Sequence, residues 1–234
     1  MKVLYVFAHP DDESFGPARA MFKQRREGHE VHLLTLTRGG ATKQRHKYGY
    51  SVEEMGAVRL GEMQDMAQVL DLSGMTVLDL PDSGLKEMDP REIERAVLQE
   101  IERLQPQVVV TDPVHGISGF HDHLVCHAAV KRAYVELRER APYLRRLAFH
   151  TIPEEQAKQI GPQFDGSIAR EIDCIYPVDP VDVDHQQQAL DAYVTYQDTI
   201  QRMGIRDHVP PQVFYEIYQE QHDPPLGDIF AGLA

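Results

Sequence analysis

Two short segments hold most of the side chains able to do chemistry. The first is His9-Pro10-Asp11-Asp12-Glu13, and the second runs from Asp112 through His115 to His121-Asp122-His123. Imidazole and carboxylate are standard ligands for Zn²⁺, and a catalytic zinc keeps three protein ligands with one position open. Two histidines and one carboxylate also suit Fe²⁺. The first segment has more carboxylates than a metal needs, which leaves one to serve as a general base. Each segment alone has an ordinary reading, in which an Asp caps the helix that follows and the histidines lie at the surface. The chemical reading therefore depends on the two segments meeting.

The elements around them decide that. Lys2–Ala8 (KVLYVFA) is a continuous apolar run, the pattern of a parallel strand covered on both faces. Strands are expected also at Glu30–Leu36, Met75–Leu80 and Gln107–Thr111, and further ones at Arg146–Thr151 and Glu171–Tyr176. Helices are expected at Glu13–Gly28, Ser51–Leu72, Pro90–Leu104, Asp122–Arg140 and Pro180–Met203, with Ser51 and Glu54 in capping-box spacing. Strands alternating with helices define an α/β, Rossmann-like, doubly wound and mostly parallel sheet, expected as a single domain. In the common order 3-2-1-4-5, strands one and four are neighbours where the winding reverses, and ligands bind beyond their carboxyl ends. Both His/Asp segments then fall at that point. Thr37-Arg38-Gly39-Gly40 and Pro81-Asp82-Ser83-Gly84, after strands two and three, supply the same rim.

Composition narrows the partners. The formal charge is −13, which opposes binding to nucleic acid, since phosphate neutralisation needs clustered Lys and Arg. Cys126 and Cys174 are the only cysteines and have no CxxC spacing, so a metal here must use His and carboxylate. The opening MKVLYVFAHPDDE is too brief for a membrane span and lacks a signal-peptide cleavage pattern, so a cytoplasmic protein without a membrane partner is expected. Homo-oligomerisation is compatible with the sequence. The loop Arg38–Tyr50 carries Arg38, Lys43, Arg45 and Lys47 without an acid, an island of positive charge that reads either as a solvated flexible loop or as a lid over an anionic group. Arg59, on the Ser51 helix beside Met55, Leu60, Met63 and Met66, lies near an apolar face and needs a partner, for which Glu62 and Asp82 are the candidates.

At these residues the sequence resembles the LmbE-like (PIG-L) superfamily of zinc-dependent N-acetylglucosaminyl deacetylases. The matching segments are AHPDDE (Ala8–Glu13), LTRGGAT (Leu36–Thr42), AVRLGEM (Ala57–Met63), LPDSGL (Leu80–Leu85) and GISGFHDH (Gly116–His123). They cover about the first 130 residues. The resemblance implies a small-molecule amino-sugar conjugate as substrate, His9, Asp12 and His123 as metal ligands, and Asp11 as general base. It also implies that Arg59 and Asp82 contact the distal part of the substrate. One departure stands out: where the family usually has His-Pro, this chain has Phe120-His121, so the acid is expected from Asp11 or, displaced by one residue, from His121.

Two other classes remain in view. A nucleotide-dependent oxidoreductase would need a GxGxxG turn after strand one, where HPDDE stands instead. A metal-binding regulatory protein that has lost turnover is compatible with Phe120.

Overall fold

A computed structural model describes residues 1–233. The first half alternates strictly: β1 (Lys2–Phe7), α1 (Asp12–Phe15), α2 (Ala18–Arg26), β2 (Glu30–Thr37), α3 (Arg45–Tyr48), α4 (Val52–Val69), β3 (Gly74–Leu80), α5 (Pro90–Leu104) and β4 (Val108–Thr111). The second half adds α6 (His121–Leu137), β5 (Arg146–Thr151), α7 (Glu154–Ile160), β6 (Cys174–Pro177), α8 (Pro180–Ala192), α9 (Gln197–Met203) and β7 (Gln212–Ile217). The strands form one seven-stranded sheet in the order β3-β2-β1-β4-β5-β7-β6. The strands from β3 across to β5 are parallel, β7 pairs antiparallel with β5, and β6 pairs antiparallel with β7, so β7 alone runs against the rest.

The apolar run of β1 divides its side chains between two cores. Val3, Tyr5 and Phe7 pack with residues of α2, α4 and α8, while Leu4, Val6 and Ala8 pack with α5 and α6. With both faces covered, β1 is buried from Val3 to Phe7 at the centre of the sheet, between β2 and β4. The expected order is therefore present, with β1 and β4 adjacent at the reversal.

Two helices differ from the sequence expectation. The stretch from Glu13 to Gly28 breaks at Gly16-Pro17, because Pro17 has no amide hydrogen and its ring disfavours helical backbone at the preceding residue. The stretch from Pro180 to Met203 breaks after Ala192, at a short 3₁₀ turn over Val194–Tyr196. Both breaks line the site. Helix α4 begins as expected: the Ser51 hydroxyl accepts from the Glu54 amide (3.1 Å) and the Glu54 carboxylate from the Ser51 amide (2.8 Å). Its inward face carries Met55, Arg59, Glu62, Met63 and Met66, so the helix delivers one guanidinium into the interior.

Gly40 lets the loop after β2 pass against the start of α4, where a Cβ would collide with the Val52 carbonyl oxygen. A backbone oxygen in a capped helix cannot swing aside. Gly40→Ala is expected to cost about 1–3 kcal/mol, read as a melting temperature lower by about 2–4 °C per kcal/mol; an unchanged transition would contradict this packing.

Candidate metal centre

The turn after β1 is unusual from its first acid. Asp11 has φ 84°, in the left-handed region, and occupies the N-cap of α1 without capping it. Its carboxylate instead takes a hydrogen bond and ion pair from Arg59 Nη2, which also donates to the Pro10 carbonyl at 2.9 Å. Asp12 folds back so that Oδ2 accepts from the His9 amide (2.8 Å). Glu13 points elsewhere, accepting from the Tyr193 and Ser14 hydroxyls at 2.6 and 2.7 Å. Three consecutive acids thus have three separate surroundings.

The second segment reaches the same place from β4. His9 Nδ1 lies 3.3 Å from His123 Nε2 and 3.6 Å from Asp12 Oδ2, and His123 Nε2 lies 3.3 Å from Asp12 Oδ1. Ligand atoms of a four-coordinate ion with bonds of 2.0–2.1 Å stand about 3.3 Å apart. The donor set and spacing fit such an ion. The outer nitrogen of each ring is also held: His9 Nε2 meets Asp122 Oδ2 at 3.1 Å, and His123 Nδ1 meets the Gly116 carbonyl at 3.0 Å. These contacts leave His9 Nδ1 and His123 Nε2 turned toward the centre. His9, Asp82 and Asp122 also cluster. Both Asp122 oxygens, however, accept backbone amides, from Ser83 (2.8 Å) and Leu85 (3.3 Å), which makes that cluster an outer support.

The electrostatics favour positive charge at the rings. Burial disfavours each imidazolium, but Asp12 and Asp122 outweigh it at His9 and raise it to about 9; Asp12 and Asp112 raise His123 to about 10. Burial likewise opposes ionisation of Asp12, yet the two rings hold it well below the carboxylate range. Burial pushes Asp11 upward against the pull of Arg59. Asp112 is pushed up by burial too, and its Oδ2 has no hydrogen-bond partner among the described residues.

The His9–Asp12–His123 cluster opens into a cavity of about 590 Å³, within the range of small-molecule sites. His9, Asp11, Asp12, His123, Arg59 and Asp82 line it. Arg59 differs from the sequence expectation: its partner is Asp11, because Glu62 is taken by the amide and hydroxyl of Thr195 (2.6 and 2.8 Å) and Asp82 accepts from the Ala41 amide (2.6 Å). Arg38 does not reach the cavity, since its side chain leans to Asp79 (3.5 Å). His121 is exposed and also absent from the lining. At roughly 100° per residue, a side chain two positions from His123 lies about 200° around α6. The basic loop contains α3 and is fastened, with Thr42 Oγ1 donating to Tyr196 Oη (3.2 Å), Gln44 Nε2 to Thr199 Oγ1 (2.8 Å) and Lys47 paired to Asp198. Of its four basic residues only Lys43 lines the cavity.

Sequence reasoning passed over Asp122 as the holder of His9, although it lies within the motif, and His150, which carried no signal inside an apolar strand. His127, four residues after His123, is simply a buried ring bonded to the Asp112 carbonyl (2.9 Å).

A mostly parallel α/β sheet with a His/Asp cluster at its switch point defines the class. Residues 4–134 match the PIG-L family (GlcNAc-PI de-N-acetylase), and the chain belongs to it. A 1D-myo-inositol 2-acetamido-2-deoxy-alpha-D-glucopyranoside deacetylase from Thermomonospora curvata is 30% identical over 153 residues, which are 56% of this chain and 52% of that protein. The chain spans about half the length of the curated relatives it matches. Among solved structures, a deacetylase of teicoplanin biosynthesis superposes with TM-score 0.75 at 13% identity, over 94% of this chain and 99% of that one. GalB, the 4-carboxy-2-hydroxymuconate hydratase of Pseudomonas putida, superposes with TM-score 0.67 at 13% identity, over 94% and 97%. These likenesses establish the fold alone. No helix among the described residues is long and apolar enough to cross a membrane.

His150, at the end of β5, lines the same cavity and is 4% exposed. Burial first, and Arg19 second, push its imidazole down to about 3. Between that value and 6.5 the unfolded chain binds the proton and the folded chain does not, so stability rises with pH in this window and is lost as pH falls. His150→Gln should remove a slope of up to about 1.4 kcal/mol per pH unit from denaturant melts between pH 4 and 6. Parallel curves for both proteins would refute the neutral buried ring.

Proposed function

We propose that the chain is a metal-dependent hydrolase that removes an N-acyl group from an amino-sugar conjugate of the N-acetylglucosamine type. The observation that carries this reading is the convergence of His9 Nδ1, His123 Nε2 and the Asp12 carboxylate at 3.3–3.6 Å beside a separately held carboxylate, Asp11. His9, Asp12 and His123 would hold the ion, and two imidazoles with one carboxylate suit Zn²⁺, with Fe²⁺ compatible. Such an ion supplies Lewis acidity toward an amide carbonyl.

The chain's own residues do the rest. Asp11 takes a proton from the attacking water and returns it to the departing nitrogen, serving as base and then acid. Arg59 fixes the Asp11 carboxylate, and Asp122 fixes His9. Phe120 lines the cavity and has no proton to give, and His121 lies off it, so the proton transfer is assigned to Asp11 alone. Asp82 and Lys43 offer polar contacts to the sugar side, with Lys43 suited to an anionic group beyond it.

Purified protein should carry about one zinc per chain by elemental analysis. His9→Ala and His123→Ala should lose it, whereas Asp11→Asn should keep it and lose 10²-fold or more in kcat, the usual scale of a general acid–base group, ~10²–10⁴. His121→Ala should stay within about twofold of the parent. Metal retained in both histidine variants, or full turnover in Asp11→Asn, would overturn the assignment.

A further inference from the structure

The cavity is unequal on its two sides, and the sheet order explains how. On one side of the cluster, the loops after β2 and β3 present Thr42, Gln44, Asp82 and Ser83. On the other, the segment after β5 and the end of α9 with the chain that follows it present Ile152, Ile160, Phe164, Met203 and Ile205, with Arg202 beside them. This side continues into a side chamber of about 50 Å³, bounded by Phe15, Gly16, Ile152, Ile160, Met203 and Ile205 and bearing the polar side chains of Gln156, Arg19 and His150. Gly16 stands where the chamber passes the metal loop; a Cβ there would lie 2.7 Å from His150 Cε1.

The chamber ends on a buried cation, Arg19, whose Nε has no hydrogen-bond partner among the described residues. Arg19 spends its terminal nitrogens on the Gly16 carbonyl, Gln186 and the Gln212 carbonyl, each at 2.8 Å. His150 is neutral near pH 7. Sugar hydroxyls and an anionic substituent suit the β2–β3 side, and a hydrocarbon chain suits the wall of Ile152, Ile160, Phe164, Met203 and Ile205 on the β5 side, short of Arg19. An acetyl group presents one methyl and would leave most of that apolar wall uncovered, at a cost proportional to the area left wet.

We infer that the acyl group removed is a chain longer than acetyl, lying over β5 in this apolar arm with its carbonyl at the His9–Asp12–His123 cluster. This rests on the hydrolase reading above and names its substrate class: an amino sugar N-acylated by a medium-length aliphatic acid.

The test is a series of N-acyl-glucosamines, from acetyl through butyryl and hexanoyl to octanoyl, with zinc-loaded protein. kcat/KM should rise about threefold to fourfold per added methylene until the arm is filled. Ile160→Trp and, independently, Ile205→Trp narrow the arm and should lower the hexanoyl-to-acetyl ratio at least fivefold. A flat or falling series overturns the inference, as does a rise seen only when an octyl group is placed on the glycosidic oxygen of N-acetylglucosamine. If no amide in the series is cleaved, the hydrolase reading fails, and calorimetric binding of the free acids from acetate to octanoate decides the arm separately. Affinity that strengthens with chain length upholds it, and equal affinities overturn it.

Discussion

The Arg59 guanidinium sits between the Asp11 carboxylate, the carbonyls of Pro10 and Gly39 and, 4.2 Å from its carbon, the ring of Tyr196. Three acids in a row at the end of a buried strand repel one another, and burial raises the cost of ionising each. One internal cation on a capped helix relieves the first of them and draws it out of line, at a left-handed backbone position. Asp12 is then free to turn toward the two histidines and Glu13 toward Tyr193. Removing one partner of such a pair strands the other charge, typically at about 3–5 kcal/mol. The shape of the turn thus depends on α4, which lies nearly fifty residues further along the chain.

Asp122 plays a corresponding part from the other side. Its carboxylate accepts the Ser83 and Leu85 amides and meets His9 Nε2, so one side chain on α6 ties the loop after β3 to the ring that follows β1. The loops after β1, β3 and β4 are therefore held in one network rather than resting separately on the sheet. Partly satisfied networks of this kind are costly in low dielectric, whereas satisfied ones fix a single arrangement. Two buried carboxylate oxygens, Glu13 Oε2 and Asp112 Oδ2, have no hydrogen bond among the described residues, and Asp112 lines the cavity, where a polar substrate group can meet it.

The sequence was most legible where one physical demand acted alone. KVLYVF has to be covered on both faces, and the order of the first five strands follows from alternation and handedness. The meeting of HPDDE with FHDH follows from that order. Arg59's partner was not legible, because Glu62 is a turn away along α4 and Thr195, from the far end of the chain, claims it. Strand β7 was overlooked although Val213, Tyr215 and Ile217 alternate in QVFYEI, a half-covered pattern beside the apolar runs of the parallel strands. The break at Gly16-Pro17 was hidden by a good apolar stripe on either side. It opens the passage between the metal loop and β5, so the local misreading of a helix also concealed the apolar arm.

The same fold carries a hydratase as well as deacetylases among solved structures, so the chemistry has to be argued from side chains rather than from the sheet. Phe120 sharpens that argument. It meets the His9 ring edge-on at 5.4 Å, an apolar contact at a place where the family usually offers a proton. With that donor replaced and His121 turned away, the proposed reaction places both proton transfers on Asp11, which must be basic enough to take a proton and acidic enough to release it. Burial raises its proton affinity and Arg59 lowers it, two opposing influences on one carboxylate. On this reading Arg59 sets the basicity of the group that does the chemistry, because its two terminal nitrogens are held by the Gly39 and Pro10 carbonyls and the Asp11 carboxylate.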